Sequence, residues 1–254
     1  MKLNVPVLVL SAGVTAVLST LATVAIAEPL SLTLSQSIAH DSNFSRTTTP
    51  KGEWISQTDA TLALNKPYGR QNYSGSARIG ATRFKDNADK LNNQNYDLAA
   101  GFSTGIASNW QVNTNVSASE NLNPSQNNSV DARLEKNVIS QRAGALDVQY
   151  GVQGRWAMIG SLTTSRLSYS LANQKYQNRK QGSQGLRLTY ATSDLLVFGV
   201  GGTHTQSDFD DRTEPEQVVQ NSVDLTANWQ VTGYSNLNAM ISSVENSYRT
   251  QPDS

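Results

Sequence analysis

From residue 96 to 118 the chain reads YDLAAGFSTGIASNWQVNTNVSA: two alternating runs around a small-residue turn. Tyr96, Leu98, Ala100 and Phe102 take every second place, and after the turn Trp110, Val112, Thr114, Val116 and Ala118 do the same. A period of two belongs to a β-strand with one apolar and one polar face. The polar partners of the second run are Gln111, Asn113, Asn115 and Ser117. The same order returns over 142–165, 183–205 and 221–243, with an earlier relative at 58–84. The turns centre near Tyr68, Ala107, Gln153, Ser193 and Gly233. Their spacing of about 40 residues is that of a structural repeat. A propeller blade needs four short strands, whereas each unit here holds two long ones, so the repeat is a hairpin meander.

The connections alternate in length. Between the short turns lie polar stretches over 41–53, 83–94, 120–129 and beyond, 172–183 and 206–220. Strands of about ten residues, short turns at one end and long loops at the other are the pattern of an outer-membrane barrel. Facing follows from the alternation. Over 30–40, Leu30, Leu32, Leu34 and Ile38 oppose Ser31, Thr33, Ser35 and Ser37. Over 222–231, Val223, Leu225, Ala227, Trp229 and Val231 oppose Asp224, Thr226, Asn228 and Gln230. A soluble sandwich, its apolar faces paired into a core, is the rival reading, because alternation alone fits both. Two features favour lipid. The repeat is uniform, where a sandwich has turn signals every 8–12 residues or so. Trp110, Trp156 and Trp229 also stand beside short turns, as an interfacial aromatic girdle does. The expected fold is therefore an all-β, antiparallel, up-and-down transmembrane barrel built from hairpins of about 40 residues.

The first residues, 1–27, read as a secretory signal peptide: Lys2, a run rich in Val, Leu and Ala, then Ala25-Ile26-Ala27 as a small-x-small cleavage site. An uncleaved membrane anchor is the other reading of that apolar run. The barrel then occupies 28–254, and no later window approaches the ~18 apolar residues of a helical span. There is no cysteine, which removes disulfides, Cys-ligated metal centres and lipoprotein processing. Only 16% of residues are charged, the net charge is zero and the mean hydropathy is −0.43, so the polarity is mostly Ser, Asn, Gln and Thr. That balance speaks against a disordered polyelectrolyte and against a nucleic-acid partner.

The search for chemistry is nearly empty. His40 and His204 are the two histidines, each near a long-loop strand end. His40-Asp41-Ser42 has the letters of a triad, but neighbours in sequence cannot form that relay. An outer-membrane hydrolase using His40 or His204 is the enzymatic alternative, and no catalytic set, cofactor or metal site is assigned. Asp208, Asp210, Asp211, Glu214 and Glu216 crowd one loop, interrupted by Arg212 and Pro215. Such a loop binds calcium when its oxygens converge, and is otherwise an ordinary solvated acidic loop. Lys175, Arg179 and Lys180 make another loop basic, suited to lipopolysaccharide phosphates, an acidic polymer or plain solvation. The expected lumen lining is Gln111, Asn113, Asn115, Ser117, Asp147, Gln149, Arg187, Thr189, Asp224, Asn228 and Gln230. It is neutral and hydrogen-bonding with scattered opposite charges, unlike a single-sign ring that selects ions. It suits a hydrated sugar chain, as any wet barrel interior would, and it carries no aromatic stacking track.

Several words in the chain resemble one family. SIAHDSNFSR (37–46), LALNKPYGRQNYSGSARIGATRF (62–84), LNNQNYDLAAGFSTGIASNWQV (91–112) and VDLTANWQVTGYSNLNAMIS (223–242) are similar, in the same order, to outer-membrane β-barrels of exopolysaccharide biosynthesis operons, the EpsL type. The turn NKPYGRQ followed by LNNQNY is the most distinctive part. The resemblance implies an outer-membrane protein associated with making or exporting an extracellular polysaccharide. With no catalytic set found, the expectation is a non-enzymatic protein whose partners are outer-membrane lipid, an extracellular polysaccharide and its export machinery. A non-conducting barrel whose loops bind a partner or matrix polymer, and a general porin, are the alternatives. About eleven strands are expected, ending at SYRTQPDS without the final aromatic strand such barrels carry, so the sequence reads as C-terminally truncated.

Overall fold

A computed structural model describes residues 17–24, 29–44, 50–123, 135–152, 154–214, 216–232 and 235–250. The alternating runs become one antiparallel sheet of twelve strands in strict sequence order. They are β1 (Val17–Val24), β2 (Leu30–Asp41), β3 (Glu53–Tyr68), β4 (Gln71–Phe84), β5 (Asn93–Ile106) and β6 (Trp110–Leu122). After these come β7 (Val138–Tyr150), β8 (Trp156–Tyr169), β9 (Arg179–Ser193), β10 (Leu196–Phe209), β11 (Glu216–Thr232) and β12 (Ser235–Thr250). Every strand pairs with its sequence neighbours, so the fold is all-β and up-and-down; the sheet is not closed. β1 falls inside the segment read as a signal peptide, while Lys2 and the Ala25-Ile26-Ala27 site lie outside the described residues. Among the described residues eleven strands follow that segment.

The alternation of turns and loops is present. Gly69 (φ 59°) and Ala107 (φ 52°) take left-handed backbone in two of the short turns, and Gly151 (φ 87°) in a third. Gln153 and Gly233 themselves lie outside the described residues. At the other end, β4 and β5 are joined through a single helical turn, α1 (Ala88–Leu91), and β8 and β9 through a 3-10 helix, Ala172–Gln177. The strands β2 to β12 have 12 to 17 residues rather than ten, and the extra length comes out of the loops. The stretch 206–220 shows this: β10 runs to Phe209 and β11 starts at Glu216. Polar loop composition hid strand ends whose ladder continues beyond the apolar stretch.

The register drifts steadily. One row runs Tyr73↔Phe102↔Thr114↔Leu146↔Leu162↔Gln184↔His204↔Asn221↔Glu245. It begins beside the β3–β4 turn and ends two-thirds of the way along β12. Such a climb means strands tilted against the sheet's long direction, the stagger a barrel requires.

Burial is inverted relative to a water-soluble core. Among the described residues the buried hydrophobics are Phe84, Leu91 and Tyr169, all beside the long loops. Large apolar side chains instead stand out on one face: Val223 and Leu225 are 59% and 57% exposed, while Asp224 between them is 7% exposed. Among the described residues no second layer covers that face.

Candidate functional site: two faces and a loop collar

The apolar face carries a continuous belt next to the short turns. One row is Tyr150↔Met158↔Leu188↔Val200↔Leu225↔Ile241. At the turn edge of the belt stand Trp110, Trp156 and Trp229, all exposed. Two of them have tyrosine partners on the next strand, Trp110–Tyr150 with ring centroids 4.8 Å apart and Trp156–Tyr190 at 4.5 Å. Tyr73 and Phe102, at 5.2 Å, extend the aromatic edge. The tyrosines were legible in the sequence, being at the same alternation phase near the same turns.

Farther along the same face, the strands turn polar. Leu34 gives way to Gln36, Val116 and Ala118 to Glu120, Gly144 to Arg142, Leu162 and Thr164 to Arg166, and Val223 to Asn221. Trp54 lies at this loop end of β3, against His40 with ring centroids 4.7 Å apart. His204 Nδ1 is 2.7 Å from Asn221 Oδ1. The histidines are on β2 and β10, eight places apart in the sheet, and the sheet does not bring them together.

The other face gathers the predicted lining. Gln111 is opposite Gln149, Asn113 opposite Asp147, and Asn115 and Ser117 opposite Ala145 and Ala143. Thr189 and Arg187 pair in register with Gly199 and Gly201, which in turn face Thr226 and Asp224. Asn228 and Gln230 are opposite Asn238 and Asn236. Small residues interleave with these polar groups, and neighbouring side chains lean over them. A Cβ at Gly201 would lie 3.0 Å from both Arg187 Nε and Asp224 Oδ1, and one at Gly101 would lie 2.5 Å from Ser74 Oγ. Glycine on this face leaves room for the sheet to curl toward it.

The polar face also holds a charged cluster absent from the sequence reading. Arg78 Nη2 is 2.7 Å from Asp97 Oδ2, and its Nε is 3.9 Å from Asp59 Oδ1. Asn121 Nδ2 donates to Asp97 at 3.0 Å and Gln57 Nε2 to Asp59 at 2.9 Å. Their phase gave the signal, since Asp59, Arg78 and Asp97 each alternate with apolar neighbours. A second pair, Arg187–Asp224, meets at 2.6 Å.

The long loops are latched to one another. Phe84 N–H donates to Asn92 Oδ1 at 2.8 Å and Tyr169 N–H to Asn178 Oδ1 at 2.6 Å. In both loops a buried aromatic ends one strand, a helical turn follows, and an asparagine closes it before the next strand. The acidic and basic loops neutralise each other in part. Lys180 Nζ is 2.6 Å from Asp210 Oδ2, Asn178 Nδ2 donates to Asp211 at 2.6 Å, and Arg212 Nε to the Tyr176 carbonyl at 3.3 Å. Arg212 also pairs with Glu216. Among the described residues no cluster of three or more acidic or histidine side chains is placed to hold a metal ion. Pro215 lies outside the described residues. No helix among them is long and apolar enough to cross a membrane, which leaves crossing by strands open.

Compared with known proteins, the chain matches no protein-family model and no curated protein.

Proposed function

We propose that the chain is an outer-membrane β-barrel protein, exported on the signal peptide 1–27, whose polar face lines a wet lumen serving exopolysaccharide export. The inverted exposure carries this reading. A face studded with half-exposed Leu, Val, Met and Trp, with no large apolar side chain buried between strands and loops other than Phe84, Leu91 and Tyr169 among the described residues, is stable where the surrounding medium is itself apolar. The register drift supports closure around an axis. The link to a polysaccharide rests on the EpsL-type resemblance, and the lining of amides, hydroxyls and internally paired charges suits a neutral hydrated polymer. The chain's role in this reading is passage, without catalysis. A second reading, a silent barrel whose loops bind a partner or matrix polymer, is favoured by the latched collar joining Asn178 to Asp211 and Lys180 to Asp210. Reconstitution in planar bilayers separates the two. Discrete conductance steps, blocked by soluble oligosaccharide, are the expected result. A folded, heat-modifiable barrel that stays electrically silent would leave the loop-binding reading in possession.

A further inference from the structure

A row of cations crosses the apolar face where the belt ends. Arg142 on β7 is directly opposite Arg166 on β8, and Arg166 is directly opposite Lys180 on β9. All three are exposed and share the phase of the apolar belt, with Tyr150, Val148 and Leu146 below Arg142 and Trp156, Met158 and Leu162 below Arg166. Like charges directly opposite on a sheet destabilise it unless something answers them. Lys180 is answered by Asp210. Asp208, opposite Lys180, already accepts hydrogen bonds from Gln206 and Gln217. Glu120 on β6 is in register with Ser140 and not with Arg142. Among the described residues, neither Arg142 nor Arg166 reaches a carboxylate.

The height of the row is informative. Ten residues separate Trp156 from Arg166 along β8. At about 3.4 Å per residue that is roughly 34 Å of strand. A tilt of about 40° reduces it to about 26 Å of depth, close to the roughly 25 Å apolar band of outer-membrane barrels. With the tryptophan edge at one interface, the arginines lie at the other, on the long-loop side.

A depression rises from the belt toward the Lys180 end of this row. It is lined by Val148, Gly160, Leu162, Leu186 and Gly202 and encloses about 580 Å³. The glycines hollow it out, since Val148↔Gly160↔Leu186↔Gly202↔Val223 is one register row. It continues into a more polar hollow bounded by Thr164, Lys180, Gln184, His204 and Asp208. An apolar trough that ends at Lys180, with Arg166 and Arg142 next along the same row, has the shape of a seat for a lipid with an anionic head, while Asp208, Asp210 and Asp211 border the small hollow that Arg166 shares with Lys180.

We propose that Arg142 and Arg166, flanked by Lys180, bind the phosphate of a lipid headgroup in the leaflet on the long-loop side, with an acyl chain lying in the Gly160–Gly202 depression. Arginine suits this task because its planar fork binds phosphate through two parallel charge-assisted hydrogen bonds. The proposal rests on the membrane reading above.

The test uses the full chain in detergent, with lipid retention measured by native mass spectrometry. The probes are lipid A carrying both phosphates, the same lipid dephosphorylated, and inorganic phosphate. The phosphorylated lipid is expected to bind about tenfold more tightly than the dephosphorylated one, the worth of one or two charge-assisted hydrogen bonds. The double variant Arg142→Ser/Arg166→Ser is expected to lose that preference, and Arg142→Lys/Arg166→Lys to keep part of it. Equal retention of both lipids by the native chain, or an unchanged preference in the serine variant, overturns the proposal. Displacement of the lipid by excess inorganic phosphate assigns the cations to free phosphate and overturns the lipid assignment. Native chain that inserts into phosphatidylcholine vesicles yet shows no phosphate preference removes this inference alone. Failure to insert into any vesicle removes the membrane reading, and this inference with it.

Discussion

Arg187 on β9 and Asp224 on β11 meet at 2.6 Å although β10 lies between their strands. The contact exists because the residue between them in register is Gly201. Two strand spacings amount to about 9.6 Å, within reach of an arginine only when nothing stands in the path. Asp224 is buried, with 10% of its side chain exposed, while Arg187 remains 43% exposed. The pair therefore staples three strands on the polar face.

Breaking the staple should cost stability by either route. Arg187→Ala leaves a sheltered carboxylate without its partner. Gly201→Val puts side-chain carbon where the guanidinium passes. Because Arg187 is partly solvated, each is expected to cost only about 1–2 kcal/mol, below the full penalty of a buried pair. The double variant should cost little more than one alone, since both remove the same contact. Urea titration of refolded protein in detergent micelles reads all three. Additive losses would show that the contact does not hold the strands.

The two faces of β6 make the medium testable at adjacent positions. Val116 belongs to the apolar face and Asn115 to the polar one, and both are exposed. Five and six residues from Trp110, they lie near the middle of the proposed band. Val116→Arg is expected to lower folding stability in vesicles by about 2–4 kcal/mol, the cost of a guanidinium at mid-depth against lipid. Asn115→Arg should cost far less, because its side chain enters water. Equal effects at the two positions would argue for a sheet solvated on both sides.

Much of this architecture was legible in the residues because a strand's period of two survives every local accident. The hairpin order, the short-turn end and the phase of Trp110, Trp156 and Trp229 all followed from it. The polar residues from Gln111 to Gln230 that were expected to line a lumen share one face for the same reason. Strand ends were less legible. Lys180, Gln206, Asp208 and Gln217 look like loop residues, yet they stay in the ladder because backbone hydrogen bonds do not depend on side-chain polarity. The loop latches were invisible: that Asn178 serves both Tyr169 and Asp211 depends on where two loops meet, which no single stretch encodes. Contacts across an intervening strand, such as Arg187 to Asp224, need the register as well as the phase.

Glu53 tests whether the loop collar is rigid. Its carboxylate is fully buried and accepts hydrogen bonds from the Lys85 and Asp86 N–H groups, at 2.8 and 2.9 Å, and from Asn87 Nδ2. Glu53→Ala leaves the Asp86 N–H and Asn87 Nδ2 without this acceptor, while the Lys85 N–H keeps the Trp54 carbonyl at 3.0 Å, and is expected to cost about 2 kcal/mol locally. Glu53→Gln keeps an oxygen for the two backbone groups and should be milder. Limited proteolysis between β4 and β5 is the readout: rapid cleavage in the alanine variant and near-native resistance in the glutamine variant. Unchanged resistance in both would mean that Leu91 and Phe84 hold the loop by packing alone.

The absence of cysteine makes orientation directly measurable, since any introduced thiol is the sole reactive site. Tyr176, in the 3-10 helix between β8 and β9, and Leu195, in the turn between β9 and β10, are 53% and 51% exposed at opposite ends of the sheet. Long loops of outer-membrane barrels face the exterior and short turns the periplasm. In intact cells, a polymer-linked maleimide too large to pass the outer membrane is expected to label Tyr176→Cys and to leave Leu195→Cys unmodified. Permeabilising the outer membrane should then expose the second thiol. The inverse pattern would place the Arg142–Arg166 row in the inner leaflet of that membrane, where phospholipid rather than lipid A meets it. Labelling of both sites in intact cells would mean that the sheet does not span the membrane, because its two ends would then share one compartment.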